Sequence, residues 1–253
     1  MVKTMNRLDG KVALITGAGS GFGAGIAKNF VEEGARVGVL DLNGGAARTI
    51  AQELGDNSLA IEADITNKTQ IQKAVDEITA WSGPINVLVN NAGIGHTPTP
   101  LEKLDQEQFD KIVAVNMRSI YLTGQVIVPL MKSEGGGSIL NIASTAGVSP
   151  RPNLTWYNAS KGWVITATKS MAIELAPDKI RVNALNPVAG ETPLLSTFMG
   201  EDTPEMRHKF LSTIPLGRFS TPEDLGRAAV YLCSDESSLV TGITLEIDGG
   251  RTI

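Results

Sequence analysis

Two side chains that could take part in proton transfer lie four positions apart in the stretch TWYNASKGW. They are Tyr157 and Lys161, and residues with this spacing share one face of an α-helix. A tyrosine beside a lysine is common on half-buried helix surfaces, so packing alone would explain the pair. The alternative is chemical, because a cation one turn away favours the phenolate form of a tyrosine. Other motifs in the chain are needed to decide between the two.

A glycine-rich segment, TGAGSGFG at residues 16–23, follows the first apolar run and precedes the helical pattern AGIAKNF. We call it the glycine turn. A turn of this kind brings backbone N–H groups close to a pyrophosphate, and the N-terminus of the helix favours its negative charge. Asp41 ends the second apolar run, where a carboxylate can accept hydrogen bonds from an adenosine ribose. A plain glycine turn and a helix-capping aspartate are the alternatives.

Asp41 also bears on which dinucleotide binds. Its carboxylate would repel a 2′-phosphate, and neither the glycine turn nor the DLN that contains Asp41 offers a lysine or arginine to hold one. The sequence therefore predicts that NAD(H) is preferred over NADP(H).

Short apolar runs alternate with segments of helical period along the whole chain. The runs are KVALITG, RVGVLDL, SLAIEAD, INVLVNNAG, GSILNIAS, IRVNALNP and ITLEIDGG, and the helical segments lie at about 21–33, 44–54, 67–81, 105–133, 154–176 and 221–233. Apolar strands separated by helices are typical of a parallel sheet covered on both faces. The pattern predicts an α/β protein with a Rossmann-like, doubly wound, seven-stranded and mostly parallel sheet, in a single domain spanning residues 1–253.

Residues 190–219, the lid segment, interrupt this alternation. The segment contains three prolines and a series of apolar residues that includes Leu194, Leu195, Phe198 and Met199. A surface helical hairpin that patches the core would explain the pattern. Because the segment follows the carboxyl end of a strand, where open α/β sheets bind ligands, it could equally form a lid over a mostly apolar substrate.

The composition argues against several classes of function. Of the 253 residues, 42% are hydrophobic, but no apolar run approaches the ~20 residues of a membrane span, and the N-terminal MVKTMNRLDGK lacks the apolar core of a signal peptide. The formal net charge of -5 argues against a nucleic-acid-binding face, and two histidines with one cysteine cannot make a typical metal cluster. The lone Cys233 fits a reducing compartment. We expect a cytoplasmic protein that acts on small molecules, with no metal, membrane or nucleic acid.

Taken together, the motifs resemble the short-chain dehydrogenase/reductase family. They are the glycine turn, NNAG at residues 90–93, Asn116, Ser144, and Tyr157 with Lys161, in that order along the chain. The resemblance runs from GKVALITG to LEIDGG, which is nearly the whole chain, and is to single-domain members such as 3-oxoacyl reductases and glucose dehydrogenases. It implies a nicotinamide cofactor, reversible hydride transfer between an alcohol and a carbonyl, and a homotetramer.

The resemblance also implies roles for individual residues. Tyr157 would be the general base, Lys161 would favour its phenolate and bond the nicotinamide ribose, and Ser144 would donate to the substrate oxygen. Asn116 would hold a water that links Lys161 to solvent, with an interior polar residue bonded to backbone as the alternative. The expected cofactor-binding residues are Gly17, Ser20, Gly21, Phe22, Gly23, Asp41, Leu42, Asp64, Ile65, Asn91, Ala92, Gly93, Tyr157, Lys161, Pro187, Gly190 and Thr192.

Three positions depart from the usual pattern of the family. Phe22 stands where isoleucine is usual, Ala143 stands before Ser144 where a second serine is common, and Val188 replaces the glycine of an N-P-G motif. The backbone at Phe22 should serve equally well. A β-branched residue at this position cannot easily adopt a glycine-only conformation. In addition, the side chain of Val188 is expected to narrow the pocket beside the nicotinamide.

Apolar residues near these motifs predict an apolar or aromatic secondary alcohol or ketone as substrate. The candidate substrate pocket consists of His96, Thr145, Trp156, Val188, Leu195 and Phe198, although a solvated loop position is an alternative for His96. One alternative function is an NADPH-dependent 3-oxoacyl-[acyl-carrier-protein] reductase, which Asp41 and the weakly basic KSEGGGS oppose. Another is a non-catalytic dinucleotide-binding regulator, which would need neither Ser144 nor Tyr157.

Overall fold

Parallel strands form the centre of the computed structural model, which describes residues 5–253. In chain order they are β1 (Val12–Thr16), β2 (Arg36–Asp41), β3 (Ser58–Glu62), β4 (Val87–Asn90), β5 (Gly137–Ile142), β6 (Ile180–Pro187) and β7 (Thr244–Ile247). Their spatial order is β3-β2-β1-β4-β5-β6-β7, and each neighbouring pair is parallel. The predicted doubly wound, single-domain α/β fold is confirmed, with all seven strands parallel.

The strand order reverses between β1 and β4, which are neighbours in the sheet although β2 and β3 lie between them in sequence. The chain leaves β1 towards one edge of the sheet and then returns to build outwards to the other edge. A crevice therefore opens at the carboxyl ends of β1 and β4, and open α/β sheets bind their ligands at such a point.

Helices cover both faces of the sheet. They are α1 (Gly21–Glu32), α2 (Gly44–Leu54), α3 (Lys68–Ser82), α4 (Gln106–Val113), α5 (Ser119–Ser133), α6 (Thr155–Leu175), α7 (Leu194–Met199), α8 (Pro204–Leu211) and α9 (Pro222–Cys233). Within residues 5–253, no helix has both the length and the hydrophobicity needed to cross a bilayer.

Each face of the sheet has its own hydrophobic cluster. On one face, Phe30 of α1 packs with Leu225 of α9, and on the other Ile78 of α3 packs with Ile127 of α5. All five residues of β1 are buried between these layers. Continuous burial on both faces is the reason why the strands read as unbroken apolar runs rather than as alternating patterns.

The helix predicted over residues 105–133 is interrupted. A π-helical turn, Ala114–Arg118, separates α4 from α5, and Asn116 lies within it. A π turn contains one extra residue relative to α-helical winding and is frequent at functional sites. The apolar period continues on both sides of the turn, which explains why the pattern alone predicted a single long helix.

The lid segment contains α7 and α8. Its Leu195, Met199, Ile214 and Phe219 form a small hydrophobic cluster with Val188, just beyond β6. The segment therefore does patch the core, as the hairpin interpretation predicts. It also borders the crevice, as described below.

Candidate active site

The glycine turn joins β1 to α1 at the carboxyl edge of the sheet. Gly17 has a φ of +63°, a left-handed conformation that glycine adopts without strain, and a Cβ at this position would lie 2.8 Å from Cα of Ala92. The side-chain amide of Asn91 donates to the carbonyl oxygens of Thr16, at 2.8 Å, and Gly17, at 2.9 Å. The loop after β4 thus holds the turn in shape. A side chain at residue 17 would fill the space between them.

A cavity of about 490 Å³ extends along this edge of the sheet. The predicted site residues that line it are Gly17, Ser20, Gly21, Phe22, Asp41, Leu42, Asp64, Ile65, Asn91, Ala92, Gly93, Ser144, Thr145, Tyr157, Lys161, Pro187, Val188, Gly190, Thr192, Leu195 and Phe198. Four predicted residues lie outside the lining, namely Gly23, His96, Asn116 and Trp156. Gly23 packs directly behind the turn, where a Cβ would collide with the carbonyl oxygen of Gly17.

Asp41 lies on the rim of the cavity at the end of β2. Its Oδ2 accepts a hydrogen bond from the backbone N–H of Gly19 and its Oδ1 accepts one from that of Asn43, both at 2.9 Å. Asn43, not Asp41, caps α2, because its Oδ1 accepts from the N–H of Ala46. The helix-capping alternative for Asp41 is therefore wrong. The carboxylate is instead oriented by the glycine turn.

Tyr157 and Lys161 lie on the buried face of α6, where each is 5–6% exposed. The Lys161 ammonium donates to the carbonyl oxygen of Ile142 at 2.8 Å and lies 5.9 Å from the centre of the Tyr157 ring. Burial raises the pKa of Tyr157 to about 12 and lowers the pKa of Lys161 to about 8. Burial is the largest cause of both shifts, and Lys161 is not among the groups that lower the pKa of Tyr157. The positive charge of an oxidised nicotinamide, the other cation expected to favour the phenolate, would act in addition.

Ser144 and Arg151 are the protein groups that oppose the rise in the Tyr157 pKa. The hydrogen bond between the phenol and Ser144 lowers it, and so does the positive charge of Arg151. Ser144 ends the loop after β5, and its Oγ also accepts from the backbone N–H of Ala146 at 3.1 Å. A serine hydroxyl and a phenol therefore face the same part of the cavity, where they can bond one substrate oxygen.

Asn116 makes three side-chain hydrogen bonds. Its Oδ1 accepts from the backbone N–H of Ile94 at 2.9 Å, and its Nδ2 donates to the Ile94 carbonyl at 2.9 Å and to Ser160 Oγ at 3.0 Å. These bonds fasten the π turn to the loop after β4 and to α6. The alternative of an interior polar residue bonded to backbone therefore describes the side chain well. Oδ1 also lies next to Gly93, as does the Lys161 ammonium.

Two of the candidate substrate residues face away from the cavity. His96 is 1% exposed, and its Nδ1 lies 2.8 Å from the carbonyl oxygen of Thr97. The solvated alternative for His96 is thus wrong, and His96 is not among the residues that line the cavity. Trp156 is not among the lining residues and packs edge-to-face on Phe109 of α4, with ring centres 5.2 Å apart.

Val188 does not occupy a glycine-only backbone conformation. Positive φ values among non-glycine residues 5–253 occur at Asn6, Asn153 and Lys179 only, so Val188 has an ordinary conformation. The side chain is 4% exposed, joins the lid cluster and lines the cavity. The Val188 side chain therefore affects the pocket through the volume that it occupies.

Sequence reasoning missed one charged residue of the cavity, Arg151, and several apolar ones. Arg151 lies in the loop between β5 and α6, with its guanidinium 4.3 Å from the centre of the Phe210 ring in α8. The only sequence signal was its position six residues before Tyr157. The missed apolar lining residues are Leu40, Ala63, Ile94, Val115, Ile142, Ala143, Ala146, Leu154 and Ala189, whereas Pro193, Leu194, Thr197 and Phe210 belong to the predicted lid segment.

Comparison with known proteins finds close relatives over the full length. A family profile described as Enoyl-(Acyl carrier protein) reductase matches residues 17–252. The 4-formylbenzenesulfonate dehydrogenase of Comamonas testosteroni is 43% identical over 97% of this chain and 99% of its own. A 3-oxoacyl-[acyl-carrier-protein] reductase of Thermotoga maritima is 40% identical over 98% of this chain and all of its own length, 100%.

A solved structure agrees closely with this fold. The crystal structure of a 3-ketoacyl-(acyl-carrier-protein) reductase from Brucella melitensis complexed with NADH superposes with a TM-score of 0.93. It is 52% identical in sequence and covers 97% of this chain and 100% of that protein.

Proposed function

Because the chain belongs to the short-chain dehydrogenase/reductase family of oxidoreductases, we propose that it is an NAD(H)-dependent enzyme that interconverts a secondary alcohol and a ketone. Members of this family bind a nicotinamide dinucleotide and act on alcohol or carbonyl groups. One observation carries the proposal: a single cavity is bordered by Asp41 at the end of β2 and by Ser144, Tyr157 and Lys161 near β5, three positions away in the sheet.

The protein groups have distinct tasks in alcohol oxidation. Tyr157 takes the proton from the substrate hydroxyl, and Ser144 donates a hydrogen bond to the same oxygen. Bound NAD⁺ would supply the hydride acceptor. The glycine turn and Asp41 would hold its pyrophosphate and adenosine ribose, and Lys161 would bond the nicotinamide ribose. Since burial lowers the pKa of Lys161 only to about 8, the side chain is mostly protonated at neutral pH and can donate.

Asn116 has a positioning task in this scheme. Its three bonds to Ile94 and Ser160 hold the loop after β4 beside the Lys161 ammonium. We propose that a water between Asn116 and Lys161 links the Lys161 ammonium to solvent and so carries the proton that leaves the site. Gly93, next to both groups, leaves room for it.

The catalytic assignment is tested with Tyr157→Phe. Wild type and variant are assayed with NADH and a panel of apolar and aryl ketones, and Tyr231→Phe on the outer surface of α9 is the control. Tyr157→Phe should bind NADH within about twofold of wild type and lose on the order of 100-fold or more in kcat. A substantial residual rate would remove Tyr157 as the acid/base. NADH binding without turnover of any ketone by wild type would favour the non-catalytic regulator.

The proposed preference for NAD(H) rests on the charges around the cavity. Among the residues that the structure describes, the cations lining it are Lys161 and Arg151, both near Tyr157 and remote from Asp41. Arg48 of α2, the nearest arginine in sequence to Asp41 on its C-terminal side, pairs with Glu62 at 3.6 Å. Quenching of tryptophan fluorescence gives the affinities for NADH and NADPH directly, and tighter NADPH binding would refute the preference.

The proposed substrate carries an apolar or aromatic group. Phe198 of the lid segment lies against the Tyr157 ring, with ring centres 4.8 Å apart, and Leu195, Val188 and Phe210 continue the apolar wall. The relative that acts on 4-formylbenzenesulfonate, an aromatic aldehyde, supports this choice. Comparison of kcat/KM for aryl ketones with that for sugars tests it, since a preference for sugars would contradict an apolar pocket.

A 3-oxoacyl-[acyl-carrier-protein] reductase is the second candidate function. It is supported by the similarity of the chain to the Thermotoga and Brucella acyl-carrier-protein reductases. The Brucella protein was crystallised with NADH, so dependence on NADH and this activity are compatible. An acyl-thioester assay separates the two candidates. Higher kcat/KM with a 3-oxoacyl carrier-protein thioester than with any free ketone would establish the second.

We further propose a homotetramer. Helices α5 and α6 present Tyr121, Trp163 and Ile173 to the outside, with exposures of 56%, 37% and 80%. Apolar side chains of this size on neighbouring helices are typical of surfaces that pair with another subunit. Sedimentation of the protein as a monomer would refute the proposal.

A further inference from the structure

The arginine that sequence reasoning missed occupies a defined place in the cavity. Arg151 lies between the catalytic helix and the lid segment, with the face of its guanidinium on the Phe210 ring at 4.3 Å. Its backbone carbonyl accepts from Nδ2 of the buried Asn158 at 2.8 Å. Two residues further, the carbonyl of Asn153 accepts from the N–H of Thr99 at 2.8 Å. The loop is therefore fastened at two points, and the arginine is presented by a held backbone.

Arg151 is the one arginine that lines the cavity, and it has no acidic partner among residues 5–253. Within residues 5–253, its guanidinium forms neither an ion pair nor a hydrogen bond, whereas Arg207, Arg218 and Arg227 each pair with an acidic residue. Stacking on Phe210 uses the face of the guanidinium and leaves its N–H edges available. These edges suit an oxyanion that presents two neighbouring oxygens, such as a carboxylate or a sulfonate, which guanidinium binds through two parallel hydrogen bonds.

The surroundings of Arg151 make an unpaired cation unfavourable. Burial lowers the pKa of Arg151, and the positive charge of Arg251, close to the C-terminus, lowers it further. Arg251 reaches the same loop, with Nη1 3.5 Å from Ser149 Oγ. A bound anion would relieve both the desolvation of Arg151 and its repulsion from Arg251.

We propose that Arg151 binds an anionic group, a carboxylate or sulfonate, on the substrate. This inference rests on the proposed function, because it places the anion on the same molecule whose hydroxyl or carbonyl faces Tyr157 and Ser144. The ring of such a substrate would lie along Phe198 and Phe210, with its reacting oxygen at Tyr157 and its anion at Arg151. The preferred substrate class is thus an apolar or aromatic alcohol or ketone that carries an acidic group.

The test compares two substrates that differ only in charge. 4-Acetylbenzoate and methyl 4-acetylbenzoate are assayed with NADH on wild type, Arg151→Gln, Arg151→Lys and the control Arg227→Gln, whose guanidinium lies on the outside of α9 paired with Glu223. Wild type should prefer the carboxylate, and Arg151→Gln should lower kcat/KM for it by about 10- to 100-fold more than for the ester, which loses only the influence of the Arg151 charge on Tyr157. Arg151→Lys should keep part of the preference. Equal losses on both compounds, or no preference in wild type, would overturn the proposal.

A binding measurement separates this proposal from the proposed function. Calorimetric titration of 4-acetylbenzoate into the enzyme saturated with NAD⁺, with which a ketone cannot react, measures binding without turnover. Wild type should bind it about 10-fold or more tightly than Arg151→Gln does, with the NADH affinity of the two proteins equal. If this difference appears without turnover, anion recognition stands and the catalytic proposal fails. If the compound is reduced but Arg151→Gln binds it equally well, the catalytic proposal stands and anion recognition fails.

Discussion

Replacing the two residues at the end of β2, Asp41→Ser together with Leu42→Arg, is expected to shift the cofactor preference towards NADPH. The Asp41 carboxylate is held by the N–H groups of Gly19 and Asn43, each at 2.9 Å, so it cannot turn away from a 2′-phosphate. Two unit charges 4 Å apart repel by ~1 kcal/mol in water and by ~4 kcal/mol at an effective dielectric constant of ~20. Because Asp41 is only partly buried, we take the lower half of this range.

The arginine introduced at residue 42 contributes less to the change in cofactor preference than the loss of the Asp41 charge does. Leu42 is 71% exposed, so an arginine there would be largely solvated and would contribute ~0.5–1 kcal/mol with the phosphate. The total of about 1.5–3.5 kcal/mol corresponds to a change of about 10- to 400-fold in the ratio of the two dissociation constants. Loss of the carboxylate also removes the two bonds that orient it on the glycine turn, so NADH affinity should fall in absolute terms.

Fluorescence titration of NADH and NADPH into both proteins measures this ratio without any substrate. Asp56→Ser removes the same charge from the turn after α2, outside the cavity lining, and serves as the control that should leave the ratio unchanged. An unchanged ratio in the double variant would show that Asp41 does not select the cofactor. A similar shift in the control would attribute the effect to net charge alone.

Three further outcomes follow from contacts around the site. Asn116→Ala removes the three side-chain bonds to Ile94 and Ser160 and leaves the N–H and carbonyl of Ile94 without these partners. The free energy of unfolding, measured by urea titration, should therefore fall by about 2–4 kcal/mol. An unchanged urea midpoint would show that these bonds do not stabilise the fold. Gly190→Ala should lower the free energy of unfolding, because a Cβ there collides with the Phe22 ring. The decrease should be smaller when Phe22 is replaced by isoleucine. Equal decreases in the two backgrounds would show that the collision with Phe22 is not the cause. Bonds from Arg218 and Thr221 lower the pKa of Asp224, so its stabilising effect is present above the unfolded pKa of 3.8 and is lost as pH falls through the folded pKa. Asp224→Asn should therefore lower the free energy of unfolding by about 1 kcal/mol at pH 7, a small value because solvent screens the partly exposed pair with Arg218. The decrease should become progressively smaller below about pH 4. A decrease that does not change with pH would show that the charge of Asp224 is not its cause.

The positions that sequence identified well are those where local chemistry and spacing coincide. The apolar runs predicted seven strands because a sheet covered on both faces requires continuous burial. The glycine turn was recognisable because a left-handed φ at Gly17 and the contact with Ala92 tolerate no side chain. Tyr157 and Lys161 were found because helical spacing alone puts them on one face.

Other properties depend on contacts between segments that are distant in the chain. The π turn at Ala114–Arg118 stems from the bonds between Asn116, Ile94 and Ser160, which no apolar period records. His96 is buried through tertiary packing, although its loop position suggested solvent. Trp156 precedes Tyr157 in sequence but points about 100° away from it around α6 and packs on Phe109 instead of lining the cavity.

The sequence by itself determined the parallel α/β architecture, the glycine turn and the order of the polar motifs, because each is encoded by residue types a few positions apart. Only the tertiary structure decided the charge balance of the cavity. The pKa values of Tyr157 and Lys161 are set by burial, and Arg151 enters the cavity because the loop before α6 is fastened to Asn158 and stacked on Phe210. Desolvation and through-space charge depend on which segments come together, and that information exists only once the chain has folded.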